Sequence, residues 1–162
     1  MSILAGTDGV GPAIMPVVAF DVLARGSFDV RSEFAGFGSR PSVSSEVGSA
    51  SVAQHYGTLG LGYRFLPDAM VGPRVALSVG VLRTAVHGNA EPTEKERHDT
   101  QWSVLLDGSA GATLRLSRRY YLTLAAHVQF AEPYVAIHLL DATVATTGRP
   151  NVALTTTLGA WP

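Results

Sequence analysis

Residues 101–130 read QWSVLLDGSAGATLRLSRRYYLTLAAHVQF, and they decide the fold. Taken two at a time, Trp102, Val104, Leu106, Gly108, Ala110, Ala112, Leu114 and Leu116 share one face. Gln101, Ser103, Leu105, Asp107, Ser109, Gly111, Thr113 and Arg115 share the other. After a tight Ser117-Arg118-Arg119 turn the alternation resumes. Tyr120, Leu122, Leu124, Ala126, Val128 and Phe130 now oppose Tyr121, Thr123, Ala125, His127 and Gln129. A period of two kept this long is a strand signal that no helix reproduces. The first arm, 101–116, is far longer than the ~5–6 residues usual in soluble sheets. It suffices for the roughly 9–11 tilted residues with which a strand crosses a bilayer. The stretch therefore predicts one hairpin of a transmembrane β-barrel.

Composition agrees. A chain of 162 residues fits one domain, 1–162, with a substantial core. Charged residues make up 15%, against ~25% in soluble domains, and Lys95 is the only lysine. Mean hydropathy is nevertheless +0.20, without the ~18-residue apolar run of a membrane helix. Hydrophobicity spread by alternation, with few charges, is what an outer-membrane barrel needs. A net charge of -1 gives no footprint for nucleic acid. The absence of cysteine excludes disulfides, zinc-thiolate sites and thiol catalysis.

The same period runs along the chain. Strands are predicted at about 13–23, 27–37, 50–65, 74–87, 101–116, 120–130, 135–140 and 152–160. At Glu132-Pro133 the apolar phase flips, which we read as a bulge in one long strand rather than a turn. Connections then alternate between short and long: 24–26, 38–48, 66–72, 88–99, 117–119, 140–150. That is the rhythm of barrels with tight periplasmic turns and long outer loops. Seven strands are clear, and single-chain bacterial barrels have even numbers. Residues 2–7 (SILAGT) are predicted to pair beside the last strand as a short or incomplete first one, with 8–12 as an outer loop. Residues 1–12 (MSILAGTDGVGP) show no basic, then apolar, secretory leader, so an N-terminally shortened chain is the expectation that accounts for both features.

Aromatics fall in two groups. Phe28, Tyr63, Phe65, Tyr120 and Trp161 adjoin the short turns or the C-terminus, whereas Phe37, Trp102 and Phe130 lie toward the long loops. Two aromatic belts are expected at the interfaces of a membrane barrel. The end of the chain, 153–162 (ALTTTLGAWP), has a glycine and alternating apolar residues before an aromatic, with Pro162 as a departure. In these features the chain resembles the small, eight-stranded OmpA/OmpX-type outer-membrane β-barrels of Gram-negative bacteria. The resemblance implies an antiparallel up-and-down barrel in the outer membrane, porin-like in architecture and monomeric. Its expected partners are outer-membrane lipid, lipopolysaccharide and, during biogenesis, the barrel-assembly machinery.

Asp29, Arg31, Glu33, Arg64, Asp107, Arg115, His127 and Gln129, with Gln101, fall on the polar, small-residue face. Eight strands leave an interior just wide enough for side chains, and isolated buried ions are expensive. These residues are therefore expected to form an interior plug of paired charges rather than a pore. Asp107 and His127 are predicted side by side or one pair apart, so an acid could orient a histidine base toward Ser109 or Ser103. No Gly-x-Ser-x-Gly elbow supports catalysis. His87 and His98 flank the acids Glu91, Glu94, Glu96 and Asp99, which suit loop solvation better than a cation site. Gly57, Gly60 and Gly62 lie inside a strand and are not a nucleotide loop.

The expectation is thus a non-enzymatic outer-membrane barrel without cofactor, structural or displaying its long loops, with a plugged polar interior. Two alternatives stand beside it. One is a soluble lipocalin-like barrel with its Leu/Val face turned inward around an apolar ligand. The other is a lipid-modifying outer-membrane enzyme using Asp107 and His127.

Overall fold

A computed structural model describes residues 1–8, 11–45, 48–89, 98–139 and 142–160. The chain is an all-β antiparallel sheet, without a helix among the described residues. Its strands are β1 (Ser2–Asp8), β2 (Ala13–Met15), β3 (Val17–Arg25), β4 (Phe28–Ala35), β5 (Ser42–Ser45), β6 (Gly48–Arg64), β7 (Val71–Asn89), β8 (His98–Arg115), β9 (Tyr120–Glu132), β10 (Val135–Leu139) and β11 (Ala142–Ala160). They pair in the order β2-β1-β11-β9-β8-β7-β6-β4-β3, with β5 on β6 and β10 on β11. The two ends of that path, β2 and β3, are chain neighbours separated by Pro16 alone. The up-and-down sheet therefore curls round on itself as a barrel wall.

The short stub takes its predicted place. Ser2 lies opposite Thr155 of β11 on one side and Met15 of β2 on the other. The amide of Thr156 donates to the Met1 carbonyl at 2.8 Å. Beyond that point β11 continues to Ala160 and β3 to Arg25, and among the described residues no ladder joins them. At Glu132-Pro133 the bulge reading holds, because β9 and β10 both pair with β11. Gln129 opposes Asn151 and Val135 opposes Thr147, six residues against four.

The strands outrun their predicted ends on the long-loop side. β7 reaches Asn89, β8 starts at His98 and β11 starts at Ala142 rather than 152. Within 38–48, β5 pairs with β6 as a hairpin, and much of 140–150 is likewise ladder with β10. Gly, Ser, Thr and Asp signalled loops there by composition, but the backbone of these polar residues pairs into ladders all the same. Glu91, Glu94 and Glu96 lie outside the described residues.

The alternation fixes which face is which. Leu61 (65% exposed), Val79 (59%) and Leu106 (46%) point outward, while Asp107 (3%) and Arg64 (8%) are buried. This is the reverse of a lipocalin-like wall, and the soluble-barrel alternative fails on it. Along β7 the outward Val71, Val75, Leu77, Val79 and Val81 are all exposed. At ~3.3 Å per residue and a tilt of ~40° they cover about 25 Å of height.

The interior is not uniformly polar. Leu4, Ala13, Met15, Ala35, Tyr56, Leu82, Leu105, Ala131 and Ala153 pack as one buried cluster. They come from β1, β2, β4, β6, β7, β8, β9 and β11, so an apolar layer crosses the inside from wall to wall. The expectation of a wholly polar plug is corrected to a layered one.

Candidate functional site: a buried ion network

Residues 29, 31 and 33 of β4 share parity and face inward, and Asp21 on β3 lies directly opposite Arg31. Arg64 on β6 and Arg74 on β7 are likewise opposite one another. Two arginines side by side require carboxylates nearby, and β3 and β4 supply them. Arg31 Nη1 meets Asp21 Oδ2 at 3.1 Å, and its Nη2 meets Glu33 Oε2 at 2.8 Å. Arg74 Nη2 bridges Asp21 Oδ1 at 3.1 Å and Asp29 Oδ1. Arg64 Nε is 3.4 Å from Asp29 Oδ2. The phenol of Tyr56 donates to Glu33 Oε1 at 2.9 Å, and that of Tyr121 to Asp21 Oδ2 at 3.3 Å. Arg31, Arg64 and Arg74 thus balance Asp21, Asp29 and Glu33, which limits the desolvation penalty of burying ions. Gly62 gives the network room, since a Cβ there would meet Asp29 Oδ1 and Arg74.

A second constellation sits between this network and the apolar layer. His127 Nδ1 is 3.1 Å from Asp107 Oδ1 and 3.2 Å from Oδ2, and its Nε2 is 2.9 Å from Thr155 Oγ1. A carboxylate at Nδ1 calls for a proton on that nitrogen, which leaves Nε2 to share a hydrogen bond with the threonine hydroxyl. In the ladder Ser109 faces His127 and Gln129 faces Asp107, placing the acid and the imidazole one pair apart. The hydroxyl that engages the imidazole belongs to Thr155, not to Ser109. Ser103 instead donates to the Pro133 carbonyl at 2.5 Å. Asp107, His127 and Thr155 are all buried. The cavity lined by His127, Ser109, Thr123, Arg31 and Arg74 has a volume of about 10 Å³, room for about one water. The order acid–imidazole–hydroxyl is that of a general-base triad, with space for about one water beside it.

Asp29, Arg31, Glu33 and Arg64 are brought together, and Asp107 and His127 form the neighbouring pair, with Gln129 opposite Asp107 in the ladder but its amide without a hydrogen-bond partner among the described residues. Gln129 is fully buried. Arg115 is a correction: it is exposed at the end of β8, where Nη2 donates to the Pro67 carbonyl at 3.0 Å. Parity placed it on the inner face, but the wall ends there and the side chain reaches over the adjoining turn. Gln101 also stands apart, donating to the Tyr134 carbonyl at 3.2 Å. Asp21, Arg74, Tyr56 and Tyr121 are network members beyond the predicted set. Each has inner-face parity in its strand, and that was the available signal. Among the described residues no group of three His, Asp or Glu side chains is placed to hold a metal.

Outside, Phe28 stacks edge-on against Tyr63 and Tyr63 against Phe65, with centroids 5.0 Å apart in each pair. Tyr120 is exposed at the same end, and Trp102, Phe130 and Phe37 are exposed toward the other. Trp161 lies outside the described residues.

No family model matches the chain, and no curated protein matches it in sequence. Among solved structures it is similar to the crystal structure of Neisserial surface protein A (NspA). The TM-score is 0.64 at 10% identity, over 98% of this chain and 90% of that one. At that identity the likeness carries the fold: an antiparallel up-and-down curled sheet resembling an outer-membrane β-barrel.

Proposed function

We propose that the protein spans the outer membrane of a Gram-negative cell as an eight-stranded barrel of the OmpA/OmpX type whose first strand is short. Its role on this reading is structural: it holds the long-loop hairpins at the cell surface behind a sealed interior, and it is not an enzyme. The observation that carries the reading is the two-faced wall, with a continuous exposed Leu/Val/Phe surface outside and a charge-balanced ion network inside. Water would penalise the first, whereas lipid requires it.

The strand count supports the architecture. Taking β2 with β3, β4 with β5 and β9 with β10 as single crossings, the chain crosses eight times. Register gives a second support. From Val17 the pairs run through Ala35 and Tyr56 to Leu82. From Met15 they run the other way through Ser2, Thr155, Ala125 and Gly111 to Arg74. Paths that start two residues apart end eight apart on β7, so closure carries a stagger of ten residues. A stagger of that size tilts eight strands by roughly the 35–45° of membrane barrels.

Lipid and lipopolysaccharide are the partners this surface fits, with the barrel-assembly machinery acting during insertion on a chain that works as a monomer. The test is refolding into phosphatidylcholine vesicles. The expected outcome is a heat-modifiable, protease-protected species that shows no sustained conductance in planar bilayers. A protein that stays monodisperse in buffer without detergent refutes membrane insertion, and steady conductance refutes the sealed interior.

A further inference from the structure

The short-turn end carries a cationic edge that the interior network does not use. Arg115, Arg118 and Arg119 are exposed. Among the described residues none of them lies within ion-pair distance of a carboxylate. The turn that holds them is fixed by its own bonds. Leu116 N donates to Tyr120 O at 2.9 Å and Ser117 N to the same oxygen at 3.1 Å. Ser117 Oγ accepts from Arg119 N at 3.2 Å and Tyr120 N at 3.1 Å. The bond from Arg115 to Pro67 ties the edge to the neighbouring connection. Across the three short connections, 26–27, 65–70 and 116–119, Asp68 is the sole acid.

Depth gives the edge its meaning. Leu116 and Tyr120 bracket the turn and are exposed, and the Phe28–Tyr63–Phe65 stack lies at the same end. Aromatic rings of this kind sit at headgroup level. The Arg118 and Arg119 guanidinia therefore lie just beyond the hydrocarbon, where lipid phosphates are. A guanidinium meets a phosphate with two parallel hydrogen bonds, and a turn already held in place spends little entropy on the contact.

We propose that this edge binds the phosphate groups of anionic phospholipids in the leaflet at the short-turn end, with Arg118 and Arg119 as the principal contacts. The proposal rests on the membrane-spanning reading above. Each arginine favours an anionic over a zwitterionic headgroup by roughly fivefold at the membrane surface, so the two together favour it by about 30-fold.

The chain has no native cysteine, so Leu116→Cys carries a single fluorophore beside the edge. The labelled protein is reconstituted in phosphatidylcholine vesicles containing chain-labelled quencher lipids, either phosphatidylglycerol or phosphatidylcholine. Stronger quenching by phosphatidylglycerol is expected. The preference should fall by about 30-fold in Arg118→Gln/Arg119→Gln and shrink in 1 M salt, where the screening length is ~3 Å. Equal quenching by the two lipids in the parent protein overturns the proposal, and so does a preference that survives the double substitution. Protease protection in vesicles of phosphatidylcholine alone separates the two readings. A protein that is inserted but indifferent to headgroup charge refutes only the anionic-lipid site. A protein that fails to insert refutes the barrel reading and the site with it.

Discussion

Replacing Arg31 with methionine tests the buried network most sharply. Among the described residues Arg31 is the cation that reaches Glu33, at 2.8 Å, and it shares Asp21 with Arg74. Its loss leaves Asp21 with Arg74 at 3.1 Å but leaves Glu33 with only the Tyr56 hydroxyl at 2.9 Å. Breaking a buried pair costs about 3–5 kcal/mol because a charge is stranded, and Arg31→Met belongs at the top of that range. Arg74→Met belongs at the bottom, since Asp21 keeps Arg31 at 3.1 Å and Asp29 keeps Arg64 at 3.4 Å. Adding Glu33→Gln to Arg31→Met removes the stranded charge and should restore all but about 1–2 kcal/mol, the worth of the lost hydrogen bonds. The assay is equilibrium urea unfolding in phosphatidylcholine vesicles, followed by tryptophan emission and gel mobility and extrapolated linearly to water. Arg31→Met within about 1 kcal/mol of the parent, which is the size of an ordinary point-mutation effect, would refute the account. Equal losses for the two arginines, or a double variant no better than the single, would refute it as well.

Gly62→Ala should cost about 1–3 kcal/mol by overpacking, because its Cβ would press on Asp29 and lie 2.8 Å from Arg74 Nη2. Gly108→Ala, with nothing within 4 Å of its Cβ, should be close to neutral, and similar losses in the two would refute the crowding. Leu61→Arg, in the middle of the outer band, should lose about 2–4 kcal/mol and Leu116→Arg, at its edge, about 0–1; losses independent of depth would mean that the band does not face lipid. In amide hydrogen exchange, half of the β3 amides point away from β4 toward residues 157–160, where no ladder forms among the described residues. They should exchange faster than the β7–β8 amides, and uniform protection would show that the seam is closed.

The fold was legible because period two is a local property. Each of Trp102, Leu106, Leu122 and Phe130 carries its side of the wall in its own parity, and the hydrogen-bonded register merely aligns them. The bulge at Glu132-Pro133 was legible for the same reason, since a phase flip must be absorbed somewhere. What parity cannot report is height along the barrel. Tyr56, Leu82 and Leu105 fall on the same inner face as Glu33, Arg74 and Asp107. The stagger between strands, a tertiary property, sorts them into an apolar layer and a charged one. Arg115 was misplaced by that blindness: inner parity means burial only while the wall continues. The ladder segments inside the expected loops, Ser42–Ser45 and 142–150, were missed through the opposite error. Composition there reports polar side chains, and the backbone pairs into ladders regardless of them.

Layering also decides what the Asp107–His127–Thr155 line can do. A general base acts on a hydroxyl that a substrate can approach, and an oxyanion needs donors placed around the reacting carbon. Thr155 is instead closed in by paired strands on both sides, with Ser2 on β1 and Ala125 on β9. Beside it is space for about one water, above it lie Leu4, Met15 and Leu105, and below it the ion network. In that setting the acid–imidazole–hydroxyl line is a set of mutual hydrogen bonds. It satisfies three buried polar groups with one another across β8, β9 and β11, each of which would otherwise cost about 1–3 kcal/mol. Tyr56 links the two layers, donating to Glu33 on one side and packing with the apolar cluster of Leu4, Met15 and Leu105 on the other. Enclosed by paired strands and a cavity of about one water, Asp107, His127 and Thr155 satisfy one another's buried polar atoms.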